Sequence, residues 1–292
     1  MKFLYFDCFS GVSGDMTIAS LVDAGGDSNH LENELKKLGM EDEYELKWDK
    51  VVKNGITSTK FDVVLLNKEK EQGHHHHHHH DDDHDHNHSH SHHHHHDHEH
   101  NHSHDHHHDD HSHSHDHSHG HSHRSYKDIV KLIESAGFEE SVQETALKIF
   151  KKIGEAEGRI HGMPLEEVHF HEVGAVDSII DIVGTAILIH QMGIEKVKSA
   201  PVPVGGGKIR IDHGVYPVPA PATLEILKGV PIAESELKSE LTTPTGAAII
   251  AVLAEEFGGM PNIKVDKIGY GSGTKTFANH PNVLRTIIGV SL

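Results

Sequence analysis

Apolar positions in this chain form short runs and helical stripes separated by glycine-rich loops, on both sides of one long stretch that has none. Residues 2 to 6 make a short apolar run ending in a Gly/Ser loop, and Met16 to Ala24 then has helical spacing up to Gly25 and Gly26. This predicts strand, loop and helix. Asn29 to Leu38 predicts a second helix, stopped by Gly39. YELKWDKVV and ITSTKFDVVLL are partly alternating runs that flank Lys53-Asn54-Gly55. An Asn-Gly pair in that setting predicts a β-hairpin, because the favoured two-residue turn needs positive φ at both central positions. Residues 1 to 66 therefore read as a βαββ-like N-terminal unit.

Beyond residue 124, Ser125 is placed to cap YKDIVKLIESAG, a helix ending near Gly137, and Glu140 to Glu157 carries apolar residues at three-to-four spacing. VHFHEV predicts a strand leading through Gly174 into an apolar, buried helix from Val176 to Met192. VKSAPVPVG predicts a proline-broken strand, and PAPATLEILKG a helix with proline near its start. In LTTPTGAAIIAVLAEEFGG, Thr243 is the expected N-cap and Pro244 the first helical residue, with the glycine pair as the stop. IKVDKIGYGSG and NVLRTIIGV predict two strands joined by a glycine-rich loop. The fold class expected is mixed, α/β or α+β, with 125 to 292 forming the main region packed with 1 to 66.

The intervening stretch changes the picture most. Of 37 histidines, 30 lie between residues 74 and 123, with ten of the 45 acids and no lysine or arginine. Of the formal charge of -19, the rest of the chain therefore carries about -9. Such a segment buries too little apolar surface to offset its ordering entropy, so residues 67 to 124 are expected to be a disordered loop. Imidazoles at every spacing suit capture of a divalent first-row ion, copper, nickel or zinc alike. His74, His75, His76, His84, His86, His88, His90, His102, His104, His113 and His115 are representative ligands; a purification tag or a plain solubilising spacer fits the sequence less well. A single cysteine, Cys8, excludes an internal disulfide and a thiolate-rich metal site. No basic stripe suggests nucleic acid, and the absence of a spanning segment or secretory start leads to the expectation of a cytoplasmic protein without a membrane partner.

Chemistry concentrates at a few loops. On a strand His169 and His171 point the same way, and on the next helix Asp177 and Asp181 lie one turn apart, so four nitrogen and oxygen groups can converge as a metal or catalytic site. His-x-His is common by chance, and Asp177 is equally suited to a helix N-terminus. DCFSGVSGDM, from 7 to 16, feeds a Gly/Ser loop into a helix start, as an anion cradle or as a tight turn. Asp7 and Asp15 stand at its two ends, where they can hold a cation or orient a substrate group, and Ser10 and Ser13 lie between them. Cys8 reads better as a buried small residue than as a nucleophile. TTPTG offers Thr243 and Thr245 at another helix start, as an anion site or a plain cap; YGSGTKTFANHPN adds Lys275 and His280, and GGGKIRIDHG adds Lys208, Arg210 and His213 in a third loop.

Taken in order, DCFSGVSGDM, HFHEVGAVDSIIDIVG, YPVPAPAT, ELTTPTGAA and GYGSGTKTF with HPNVLR resemble the LarC-type nickel insertion family, as does a histidine-rich insertion between the first two. The resemblance implies a cyclometallase of the lyase class that places Ni(II) into pyridinium-3,5-bisthiocarboxylic acid mononucleotide, giving the nickel-pincer nucleotide of lactate racemase-type enzymes. It implies CTP with Mn(II) or Mg(II). It also implies a base for the ring proton, for which His169, His171, Glu172 and Asp177 are the candidates. Longer members continue past the HPNVLR strand into a CTP-associated C-terminal domain, encoded in some cases by a frameshift. The partners expected are the mononucleotide, nickel, that further domain and a second copy in a homo-oligomer. A metallochaperone or nickel store without catalysis is the competing function.

Overall fold

The computed structural model describes residues 1–66, 124–170, 175–211 and 214–292. The histidines expected to bind metal between 74 and 123, with His171, Glu172 and His213, lie outside these residues.

Asn54 and Gly55 both take positive φ, 47° and 82°, and turn β2 (Tyr44–Lys53) into β3 (Ile56–Leu65) as the hairpin signal predicts. These strands form one margin of a seven-stranded mixed sheet. β1 (Lys2–Asp7) lies deep within that sheet, parallel to β4 (Lys196–Ser199) and antiparallel to β11 (Val283–Ser291). β10 (Ile263–Ser272) joins β11 to β3, and β9 (Glu256–Phe257) closes the other margin, giving the order β2-β3-β10-β11-β1-β4-β9. The mixed α/β architecture is thus the one expected, and β1 sits in the sheet between partners 190 and more residues away.

The helices α1 (Gly14–Asp23), α2 (Ser28–Leu35), α3 (Tyr126–Ser135), α4 (Glu140–His161), α5 (Val176–Gln191), α6 (Pro221–Ile226) and α7 (Pro244–Leu253) fill the connections. α1 lies directly on β10 because Gly269 and Gly271 offer no side chains there; a Cβ on either would overlap the α1 backbone at Ser20 or Met16. α5 packs against both α1 and α4, and Ile18, Leu21, Ile180, Val183, Leu4 and Ile288 join in one core. Ser125 and Asp128 form the reciprocal capping box at α3.

Several boundaries differ from expectation. α4 runs on to His161, where Gly162 at φ 67° supplies the left-handed stop. α7 ends at Leu253, before the glycine pair, because Glu255 N–H turns to the Val197 carbonyl at 3.0 Å and the chain becomes β9. The loop expected at GGGKIRIDHG is a two-stranded hairpin, β6 (Lys208–Ile211) with β7 (Gly214–Pro217), where Ile209 faces Tyr216. β5 (Val202–Pro203) pairs instead with the short β8 (Ile232–Ala233). Among the described residues no helix is long and apolar enough to cross a membrane.

The two described ends that flank the histidine-rich stretch share an anchor. Leu66 N–H donates to the Glu43 carbonyl at 2.9 Å, and Arg124 Nη2 reaches the Glu43 carboxylate at 2.6 Å.

Candidate functional site

β1 delivers the DCFSGVSGDM stretch to the end of the sheet. Gly11, at φ 86°, turns the chain back so that its N–H meets the Cys8 carbonyl at 2.8 Å. A Cβ there would overlap the carbonyl of Leu241, so only glycine permits this approach. Cys8 is fully buried beside Ser199, 3.6 Å from its Oγ, and burial pushes its thiol up to about 12. It is a packed thiol, as the better of the two sequence readings held, and no thiolate nucleophile.

The named polar residues of this loop divide between two sides. Asp7 pairs with Arg285 of β11, whose Nε lies 2.8 Å from Oδ2. Ser10 is fully buried; its Oγ donates to the Pro281 carbonyl and lies 2.7 Å from His280 Nε2. The loop is therefore fastened to the segment that joins β10 and β11. In that segment Lys275 Nζ donates to the Glu240 carbonyl at 2.9 Å, while Lys53 Nζ bridges the Thr274 and Lys275 carbonyls and Thr276 Oγ1.

Ser13 and Asp15 belong to the other side. Ser13 occupies the N-cap position of α1 in extended conformation, yet its side chain caps no N–H; its Oγ donates to Asp15 Oδ1. Asp15 is joined by Asp181, which reaches in from α5 against the first residue of α1. A Cβ at Gly14 would lie 2.5 Å from that of Asp181, so α1 and α5 touch here through the missing side chain. Lys60 of β3, itself buried, places Nζ 3.6 Å from Asp15 Oδ2 and also pairs with Asp62. Burial raises the pKa of Asp15 against the opposing effects of Ser13 and Lys60. Burial, then the neighbouring charges of Asp15 and Asp177, hold Asp181 well above the ordinary carboxylate range. Its Oδ1 is buried with no hydrogen-bond partner.

TTPTG closes the neighbouring helix start. Thr243 Oγ1 accepts the Gly246 N–H at 3.2 Å, and Thr243 N–H donates to Val12 at 3.1 Å. Thr245 is buried, and a Cβ at Gly246 would overlap the Val12 carbonyl. The cap alternative describes this motif, and its backbone is spent on holding the opening loop.

The expected strand at VHFHEV is not a ladder over its described part. Val168 to Phe170 follow a 3-10 turn, and only His169 makes a single bridge, to Ser125. Val168 and Phe170 are buried and His169 is exposed. Asp177 stands exposed in the first turn of α5, where its Oδ1 accepts the Ser178 N–H at 2.9 Å. Among the described residues no group of three or more His, Cys, Asp or Glu could hold a metal ion, so His169, Asp177 and Asp181 make no such group by themselves. Sequence reasoning did not find Lys60 or the pairing of Asp181 with Asp15. The one signal was an acid recurring in an otherwise apolar helical run.

The chain matches the family model described as nickel insertion protein over residues 4–291. Among curated relatives, the pyridinium-3,5-bisthiocarboxylic acid mononucleotide nickel insertion protein of Geobacillus kaustophilus is 47% identical over 289 residues, 99% of this chain and 60% of the relative. Proteins of the same name from Clostridium kluyveri and Desulfitobacterium hafniense are 43% and 41% identical, with 99% of this chain covering 62% and 58% of theirs. The chain thus spans about three-fifths of the length of the relatives it matches. No solved structure matches it. A match that takes in β1 through β11, carried by relatives at this identity, makes the chain a member of the nickel insertion protein family.

Proposed function

We propose that this chain inserts Ni(II) into pyridinium-3,5-bisthiocarboxylic acid mononucleotide, as the nickel-handling part of a cyclometallase that forms the nickel-pincer nucleotide of lactate racemase-type enzymes. The observation that carries this reading is the match along nearly the whole chain to relatives bearing that substrate in their names. The convergence of the opening loop, the TTPTG helix start and the 273–282 segment supports it, since three loops fastened together make a fixed floor for a substrate. The histidine-rich stretch supplies imidazole for delivering nickel, and His171 and Glu172, with His169 and Asp177 nearby in sequence, supply groups to present the metal at the start of α5. The setting is cytoplasmic.

CTP with Mn(II) or Mg(II) finds no matching cation group among the described residues. No step here runs through it, and the reading assigns it to a further family domain acting with this chain.

The test combines the purified chain, the bisthiocarboxylate mononucleotide, nickel and CTP, with and without a C-terminal family fragment, and follows the nickel-containing product by mass spectrometry. Deleting residues 74–123 leaves turnover intact when nickel is in excess; a storage protein instead loses its whole function with that deletion. Replacing His171 and Glu172 together by Ala abolishes product formation while fold and nickel uptake persist. No product from the wild-type chain with the fragment present overturns the reading.

A further inference from the structure

Asp181 is the most conspicuous group left unused. Its Oδ1 is buried without a partner, although the side chain sits among charges: Asp15 on α1, Lys60 on β3, and Asp177 one turn earlier on α5. A buried ionised oxygen without a donor is costly, whereas a protonated carboxyl there needs only an acceptor, and Asp15 is beside it. The two acids differ in their support. Lys60 Nζ lies 3.6 Å from Asp15 Oδ2 and makes no ion pair with Asp181, and Ser13 donates to Asp15 Oδ1. Asp15 is therefore the member held as carboxylate and Asp181 the member that keeps a proton. Asp15 also has access, its side chain being 25% exposed, whereas the Asp181 Oδ1 is buried.

We propose that Asp15 and Asp181 are a proton-sharing carboxyl pair in which Asp15, through Oδ2, accepts the ring proton released when nickel bonds to carbon. This rests on the function proposed above. The C–H bond breaks, its electron pair becomes the nickel–carbon bond, nickel stays divalent, and the proton passes to Asp15. Asp181, already neutral, spares Asp15 a second buried charge before the transfer. Lys60 keeps Asp15 ionised until then and remains paired with Asp62 afterwards.

Two measurements on the full chain test this. Infrared difference spectra of wild type against Asp181→Asn at neutral pH, in water and in D2O, show a protonated carboxyl band that moves on deuteration and is missing in the variant. In the insertion assay with the C-terminal fragment, Asp15→Asn lowers turnover on the order of 10²-fold to 10⁴-fold, the usual range for loss of a general base, with unchanged nickel content and thermal midpoint. Asp15→Glu, which keeps the carboxyl, retains the wild-type pH profile, and Asp181→Asn displaces its acidic limb. Absence of the band from wild type, or wild-type turnover and pH profile in Asp15→Asn, overturns the proposal. If wild type makes no product, the proposed function falls and the acceptor role with it, while the band still decides whether the pair shares a proton.

Discussion

Two helices in this protein begin in nearly the same way in sequence and end up doing different things. α1 starts after GVS and α7 after LTT, and both starts are the kind that can receive an anion. At α7 the chain uses its own hydroxyl: Thr243 caps Gly246, and the Val12 backbone lies against the glycine. At α1 the N-cap serine turns away to Asp15, and the carboxyl group that meets the helix start comes from Asp181, on another helix. One start is closed by local chemistry, so it is structural. The other is closed by a distant acid with an unpartnered oxygen, so it retains a protonation state to use.

The contrast can be broken at each start. Gly246→Ala has the largest expected effect, because the added carbon overlaps backbone that has nowhere to move. A loss of about 3 kcal/mol or more in chemical denaturation is expected, at the upper end of overpacking costs; a near-neutral result would mean the two loops are not locked together. Asp181→Asn comes next, and its signature is the pH dependence. An acid whose pKa is raised on folding contributes fully below its unfolded value, and stability falls as pH rises towards the folded value. Wild type should lose stability above about pH 4, by up to about 1.4 kcal/mol per unit, until the raised value is reached. The Asn variant should show a shallower slope, with the raised carboxyl of Asp15 alone remaining, as read from denaturation midpoints between acid and neutral pH; parallel curves would remove Asp181 from the argument. Thr243→Ala is the mildest, costing about 1 kcal/mol as a lost cap, and equal stability to wild type would show that the Val12 contact alone holds the helix start.

Much of the fold was legible because it is local. The Asn54-Gly55 turn, the Ser125 and Thr243 caps and the apolar period of α5 each depend on residues within a few positions. What was not legible depends on partners far along the chain. Gly14, Gly246, Gly269 and Gly271 look like turn formers or weak spots in sequence, whereas each makes room for another segment. The pairing of Asp15 with Asp181 arises only once α5 lies against α1, and Lys60 becomes buried only when β3 joins the same face. The strand expected at VHFHEV shows why alternation is not enough: Val168 and Phe170 are buried in strand fashion, yet among the described residues only the single bridge of His169 to Ser125 forms there. His171 and Glu172 lie outside the described residues, so their part in the chemistry rests on the experiment above.

Glu43 has a consequence for how this protein tolerates change. With Leu66 on its carbonyl and Arg124 on its carboxylate, the exit and re-entry points of the intervening segment are tied to one residue. Lengthening a connection between fixed, neighbouring ends raises the closure cost only with the logarithm of its length, about 0.6 kcal/mol for each doubling. The number of histidines between those points can therefore grow or shrink across evolution with little effect on folding. Under the nickel-delivery role proposed above, capacity would then be a quantity that selection adjusts by simple repeat expansion, as one adjusts the length of a rope without moving the cleat.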